Sequence, residues 1–515
     1  MTGADDRCGV YGREDVAVFT AAESARFDRW AIQSFGVPDR VLMENAGRSA
    51  ALVLDRLFPR GRVLGFAGGG NNGGDLLVLL RCLTQWGREC ALVTAGAREP
   101  ELSLLHGVAV ARTTGERAPD YDVLVDGVLG TGAQGEPRGA AAAAIEHMMG
   151  AGRPVLALDV PSGVDGTTGA VVGGAVRAAA TVTFGWPKLG LLLHPGRGFA
   201  GRLIAVEIAF PPLPSGSASA ALITPEWVRV RLPARAPDAH KGTSGRLLVI
   251  AGQEGMAGAA AIAAEAAVRT GTGLVRVASA AGNRQIVQGL VPEATFFDRA
   301  LLPPEAAGDI TAAVIGPGFG RGEASAAALA LALERTASVP TLLDADALNL
   351  LSQDADRLRA IAAARPTVIT PHPRELGRLL DCGTAAITSD SPAAAREAVE
   401  RFHCTVLLKG QPSLVASPGQ PLLINTAGSS DVAVGGMGDQ LAGVIGALLA
   451  AGLDARTAAA AGLYLSSRAA DLAARGRALS PRDVSASLGA AFREPGCRTP
   501  LLELPFITFD QAARH

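Results

Sequence analysis

Two glycine-rich turns in this chain carry amides and acids at a spacing suited to an anionic ligand. AGGGNNGGD, Ala67 to Asp75, follows an apolar run that reads as a strand and opens a run that reads as a helix. The free N–H groups and the dipole at a helix N-terminus favour an anion. Asn71 and Asn72 add side-chain amides, and the whole chain holds only six asparagines. GGMGD, Gly435 to Asp439, opens a long apolar helix in the same way. A carboxylate there can take a proton from a hydroxyl as that oxygen attacks a nucleotide's terminal phosphate. The plainer role for such an Asp is a helix cap.

Further acids and cations follow predicted strands. VDGVLGTGAQGE supplies Asp126 and LDVPSGVDG supplies Asp159 and Ser162. Asn72, Asp126 and Ser162 are hard oxygen donors, fit for an alkali or alkaline-earth cation. Asp159 could instead face a ligand as general acid or base, or both acids could cap turns. TPHPRE holds His372 between prolines, which keep the backbone extended and aim the ring. IGPGFG and DADALN each end another predicted strand. Arginine is used throughout, whereas only Lys188, Lys241 and Lys409 are lysines, each in or near a glycine turn. A compact ammonium suits phosphate or carbonyl oxygens where a guanidinium fork does not fit.

Strand–helix alternation positions these groups. Predicted strands at 62–67, 90–95, 123–126, 155–159, 181–184 and 203–206 alternate with helices at 22–33, 40–57 and 76–85. PPLPSGSASA, residues 211–220, has linker composition, after which alternation restarts at Arg246. The reading is α/β: a doubly wound Rossmann-like domain over 1–212 and a second α/β domain over 222–515. In such sheets the strand C-termini share one edge, so loops far apart in sequence converge.

Composition excludes other classes. Net charge of -2, a pI near 6.4 and 4% aromatics offer neither a basic face nor a stacking platform for nucleic acid. The glycine-broken apolar stretch at 441–453 falls short of a membrane span, and the first thirty residues lack a signal-peptide pattern. Six scattered cysteines are the usage of a reduced compartment, so a cytoplasmic setting is expected.

LMENAG, NNGGD, VDGVLGTG, DVPSG and TVTFGWPKLGL together resemble the NAD(P)H-hydrate epimerases over about residues 15–212. That resemblance implies interconversion of the R and S hydrates at C6 of the reduced nicotinamide. It places substrate at Asn71, Asn72, Gly73, Gly74, Asp75, Gly130, Thr131, Gly132, Ala133, Gln134, Gly135, Glu136 and Asp159. Asp159 is the expected catalytic group, and K+ is expected at Asn72, Asp126 and Ser162. Two positions depart: Leu76 stands where the family usually has glycine and would narrow the entrance, and VDGVLGTG lacks the usual aromatic.

HKGTSGRLLVIAG, GPGFG, DADALN, TPHPRE, LLKG and GGMGD are similar, in order, to the ribokinase-like NAD(P)H-hydrate dehydratases over about 222–495. This implies that ADP or ATP, with Mg2+, phosphorylates the hydrate's hydroxyl, after which phosphate leaves. Hydrate contacts are expected at Ala259, Gly318, His372 and catalytic Asp439. Nucleotide contacts are expected at Lys409, Gly410, Gln411, Pro412, Ser413 and Gly438. Here too the pattern departs, with Met437 for the usual threonine. The partners implied are small molecules, the hydrates of NADH and NADPH and ADP or ATP, with no nucleic acid or membrane, in a homo-oligomer. An alternative is a ribokinase-like kinase of a small alcohol behind a non-catalytic dinucleotide-binding module.

Overall fold

Runs such as Val63–Ala67, Val123–Gly127 and Ala180–Phe184 are mostly apolar and buried at every residue, the pattern of parallel strands covered by helices. A computed structural model describes residues 10–96, 98–234, 237–238 and 240–513. Among these, residues 10–224 with 497–513 make one unit and Pro225–Gly496 another.

The first unit is built on a nine-stranded sheet. Its order is Val10–Gly12, Ile507–Gln511, Arg202–Val206, Ala180–Phe184, Val155–Leu158, Val123–Gly127, Val63–Ala67, Cys90–Thr94, Ala111–Arg112. From Arg202–Val206 onward every pairing is parallel. The chain starts this parallel part at Val63–Ala67 and winds outward both ways, so a switch point lies between that strand and Val123–Gly127. Helix Asn71–Gln85 begins at the glycine turn itself, earlier than the expected 76. Gly73 allows this start: a Cβ there would fall 1.9 Å from the Gly68 carbonyl oxygen. Helix Ala21–Gln33 is fixed by a capping box between Thr20 and Glu23.

The C-terminal segment corrects the expected second domain of 222–515. Ile507–Gln511 runs antiparallel to Arg202–Val206 and to Val10–Gly12, completing the first unit's sheet. Ala220–Leu222 likewise pairs with Ala17–Val18 in that unit. Such long-range pairings leave no local signal beyond an apolar alternation. Cys497 is disulfide-bonded, against the expectation of reduced cysteines, whereas Cys82, Cys90, Cys382 and Cys404 are free.

In the second unit the strands run Thr295–Asp298, Leu274–Ser279, Arg246–Ile250, Ala312–Ile315, Thr341–Leu343, Thr367–Ile369, Thr405–Leu408, then the antiparallel Ser413–Ala416 and Leu422–Asn425. The switch point falls between Arg246–Ile250 and Ala312–Ile315. Helix Met437–Ala450 lies against the alanine-rich helix Ala257–Thr270. Gly443 permits the close approach, because a Cβ there would sit 2.1 Å from the Ala263 carbonyl oxygen. No described helix is long and apolar enough to cross a membrane.

Candidate active sites

At the first switch point the predicted cation donors meet. Asp126 is fully buried, and its carboxylate accepts from Ser162 Oγ at 2.6 Å, Ser162 N at 2.8 Å and Val128 N at 3.2 Å. Burial pushes its pKa up to about 6, against the pull of those hydrogen bonds. Asn72 donates Nδ2 to the carbonyls of Leu129 and Leu158, at 2.8 and 3.1 Å. Its Oδ1 is buried without a hydrogen-bond partner among the described residues. A buried oxygen left this way is costly unless something fills it.

Beside this knot lies a cavity of about 1030 Å³. Asn71, Asn72, Asp75, the loop from Gly130 to Glu136 and Asp159 all line it, whereas Gly73 and Gly74 do not. Gly74 instead faces Met43, whose Sδ would lie 2.7 Å from a Cβ at that position.

Asp159 sits at φ +62°, a backbone conformation that few non-glycine residues adopt. Its Oδ1 accepts from Lys188 Nζ at 2.5 Å and from Thr183 Oγ1 at 3.2 Å. The Lys188 ammonium also donates to the Phe184 carbonyl at 2.9 Å, and the side chain is 3% exposed. Lys188 thus pins the acid to the strand end.

Sequence reading missed Asp28, which also lines the cavity from helix Ala21–Gln33. Burial pushes its pKa up to about 6; Lys188 opposes the rise and Asp159 adds to it. Asp75 is held well above the ordinary carboxylate range by burial, with Asp159 and Asp28 adding to it. The only signal in the sequence was Lys188, since a buried ammonium demands carboxylates.

The expected narrowing at Leu76 is not what the structure holds. Leu76 is wholly buried and is not among the residues lining the cavity. Its side chain lies over Gly65 and Gly127, where added Cβ atoms would come within 3.0 and 2.8 Å of it. Leu76 is a core residue. Leu76→Ala is therefore expected to lower stability by about 3 kcal/mol while leaving the first unit's ligand affinity unchanged. Denaturant melts with ligand titration check this, and tighter binding in the variant would return Leu76 to the entrance.

In the second unit, Lys409 Nζ is 2.8 Å from Asp344 Oδ1, and Asp344 is 2% exposed. Burial alone would lower the lysine's pKa, but the charges of Asp344 and Glu375 carry it above its ordinary value. A Cβ on Gly438 would lie 3.5 Å from Lys409 Nζ and 3.8 Å from Asp344 Oδ2. GGMGD, LKGQPS and DADALN therefore share one site. Burial pushes Asp439 up to about 7, with Asp344 adding to the rise and Lys409 opposing it. The motif DADALN by itself assigns Asp344 no role; its contact with Lys409 does.

The turn after Lys409 closes on itself: Gly410 N donates to Ser413 Oγ at 3.1 Å, across a cis Gln411–Pro412 bond. Ala259 and Gly318 are neighbours, 2.8 Å separating the Ala259 Cβ from a Cβ built on Gly318. Asp346 accepts from Gly320 N at 2.9 Å and joins the GPGFG loop to DADALN. His372 caps helix Pro373–Leu379, its Nδ1 accepting from Arg374 N and Glu375 N at 3.1 and 3.2 Å. Its Nε2 stands 3.3 Å from Glu375 Oε1. The ring thus has a structural task, which the flanking prolines did not reveal.

Comparisons with known proteins bear on both units. Residues 39–190 match the family described as YjeF-related protein N-terminus, and residues 247–488 match NAD(P)H-hydrate dehydratase. A bifunctional NAD(P)H-hydrate repair enzyme of Moorella thermoacetica is 36% identical over 493 residues, 89% of this chain and 92% of that protein. The enzyme of the same description from Escherichia coli is 36% identical over 476 residues, covering 89% and 90%. Among solved structures, an ADP/ATP-dependent NAD(P)H-hydrate dehydratase from Bacillus subtilis, co-crystallized with ATP/Mg2+, aligns with a TM-score of 0.46. It is 27% identical and covers 53% of this chain and 97% of its own.

Proposed function

This chain belongs to the bifunctional NAD(P)H-hydrate repair enzymes, and from that premise we propose how its two sites divide the work. The first unit interconverts the R and S hydrates of NADH and NADPH. The second removes water from the S hydrate in an ADP- or ATP-dependent reaction. The observation that carries the division is the presence of two separate acid–lysine centres, Asp159–Lys188 and Asp344–Lys409, each joining the loops that follow two parallel strands of its own unit. A kinase of a small alcohol is not favoured, since the full-length relatives are described as hydrate repair enzymes.

In the second unit, Asp439 takes the proton of the hydrate's hydroxyl as that oxygen attacks the terminal phosphate. The helix N-terminus at Met437 and the Lys409 ammonium, held by Asp344, draw the phosphates in. Phosphate then leaves C6 far more readily than hydroxide would. No group of three or more His, Cys, Asp or Glu placed to hold a metal exists among the described residues. Mg2+ would accordingly arrive on the nucleotide's phosphates, neutralising charge there.

In the first unit, the unsatisfied Asn72 Oδ1 beside Asp126 and Ser162 fits a K+ ion. Its charge would satisfy that oxygen and fix the loops after Leu129 and Leu158. Asp126→Asn is expected to slow epimerisation at least about tenfold and to abolish its dependence on KCl at constant ionic strength. An undiminished response to potassium would remove Asp126 from the cation site.

The reading as a whole is tested with a mixture of R and S hydrated NADH plus ADP or ATP. Full return of the near-ultraviolet absorbance of reduced nicotinamide requires both activities. Return of the S fraction alone would show an inactive first unit, and a stable phosphorylated product would show a kinase.

A further inference from the structure

We propose that Asp28 is a catalytic acid of the epimerisation, giving its proton to the hydroxyl that departs from C6. The inference rests on the reading of the first unit's cavity as the epimerase site. Five carboxylates line that cavity; Asp39 and Glu136 are exposed, whereas Asp28, Asp75 and Asp159 lie deeper, with the one buried ammonium, Lys188. Lys188 is committed to Asp159, as its 2.5 Å contact shows. Asp28 and Asp75 have neither a hydrogen bond nor an ion pair to their side chains among the described residues, although Asp75 is only 8% exposed. Carboxyls without a cationic partner, beside one that has it, differ in what they can do: the unpaired group holds a proton and the paired one holds charge.

The hydrate needs such a division. Its C6 carries a hydroxyl and is bonded to N1, whose lone pair can expel the hydroxyl once it is protonated. The carboxylic acid gives its proton to that oxygen and the C6–O pair leaves with water. The N1 lone pair becomes the second bond of C6=N1. Water then adds to the opposite face of C6, the double-bond pair returns to N1, and the added water yields its surplus proton to a carboxylate. One water leaves and one enters, the protons balance, and nothing is oxidised or reduced. Asp159, on another wall of the same cavity and paired with Lys188, is the carboxylate available for the second half.

The groups that set the proton on Asp28 come from every neighbouring element. Burial and Asp159 keep it on, whereas Lys188 and Arg29 draw it off, and Asp28 in turn helps to hold the proton of the facing Asp75. With a folded value of about 6, the acid form is depleted as pH rises above that point. The wild-type epimerase kcat/KM should therefore fall on the alkaline side.

Asp28→Asn keeps the shape and removes the titration. It is expected to lower the epimerase kcat at least about 100-fold with KM within about threefold, and to flatten the alkaline limb. A denaturant melt that resolves the first unit reports that it is folded, and dehydration of S hydrate by the same preparation reports the same of the second. Should the asparagine variant not fold, Asp28→Ala with added acetate is the substitute: recovery of rate supports the acid role, and none in a folded variant overturns it. Asp159→Asn is assayed alongside. If Asp159→Asn is slow and Asp28→Asn keeps its rate and pH profile, the proposal fails while the site stands. If both variants keep full rate, the cavity is not the epimerase site, and the reading beneath the proposal fails with it.

Discussion

Asp439→Asn is expected to reduce nucleotide-dependent dehydration by at least about 10³-fold while epimerisation in the same molecules stays within about twofold. The asparagine keeps the volume at the start of helix Met437–Ala450 but cannot accept the hydroxyl proton. The environment of Asp439 adds a second signature. Burial and the Asp344 charge hold its pKa near 7, so a large share of the wild-type carboxyl is protonated at neutral pH. A general base works in its charged form, so wild-type kcat/KM should rise with pH, about tenfold per unit below that value, and level off above it. The variant's residual rate should lack this rise. Absorbance recovery from S hydrate across pH measures both points, and equal loss of epimerisation would contradict separate sites.

The second large effect is expected at Lys188→Met. Lys188 and Asp159 are 3% and 13% exposed at the side chain, so neither charge can turn to water for a substitute partner. Removing one partner of a buried pair leaves the other uncompensated, which costs about 3–5 kcal/mol. The first unit should lose stability by about that amount in denaturant melts, and epimerisation should fall about 100-fold as Asp159 loses its anchor. Lys188→Arg should rescue little. The ammonium meets Asp159 Oδ1, Thr183 Oγ1 and the Phe184 carbonyl at 2.5–3.2 Å, a convergence that a planar fork does not match. A Lys188→Met protein that melts and epimerises like the wild type would show that the pair has neither role.

Legibility differed between residues for physical reasons. Asn72, Asp126 and Ser162 were legible because each lies at or soon after the C-terminal end of a strand, and those ends share one edge of a parallel sheet wherever the strands fall in the chain. The meeting of Lys409 and Asp344 was legible for the same reason, since each directly follows a parallel strand, and the start of helix Met437–Ala450 brings Gly438 beside them. Asp28 was not, because it lies mid-helix, where nothing in ESARFDRW says which side meets a cavity. Leu76 misled because a residue in the first turns of helix Asn71–Gln85 can face ligand or sheet, and the helix start, set five residues earlier than expected, decides which.

Taken alone, the sequence determined two α/β units and the glycine-and-acid loops of each, because side-chain period and turn chemistry are local properties that the chain spells out in order. Tertiary structure decided the rest. It brought Ile507–Gln511 back into the first unit's sheet, turned His372 into a helix cap, and set a single ammonium among Asp28, Asp75 and Asp159. Those outcomes depend on which loops meet in space and on how far burial strips water from charges, and neither quantity has a value until the chain is folded.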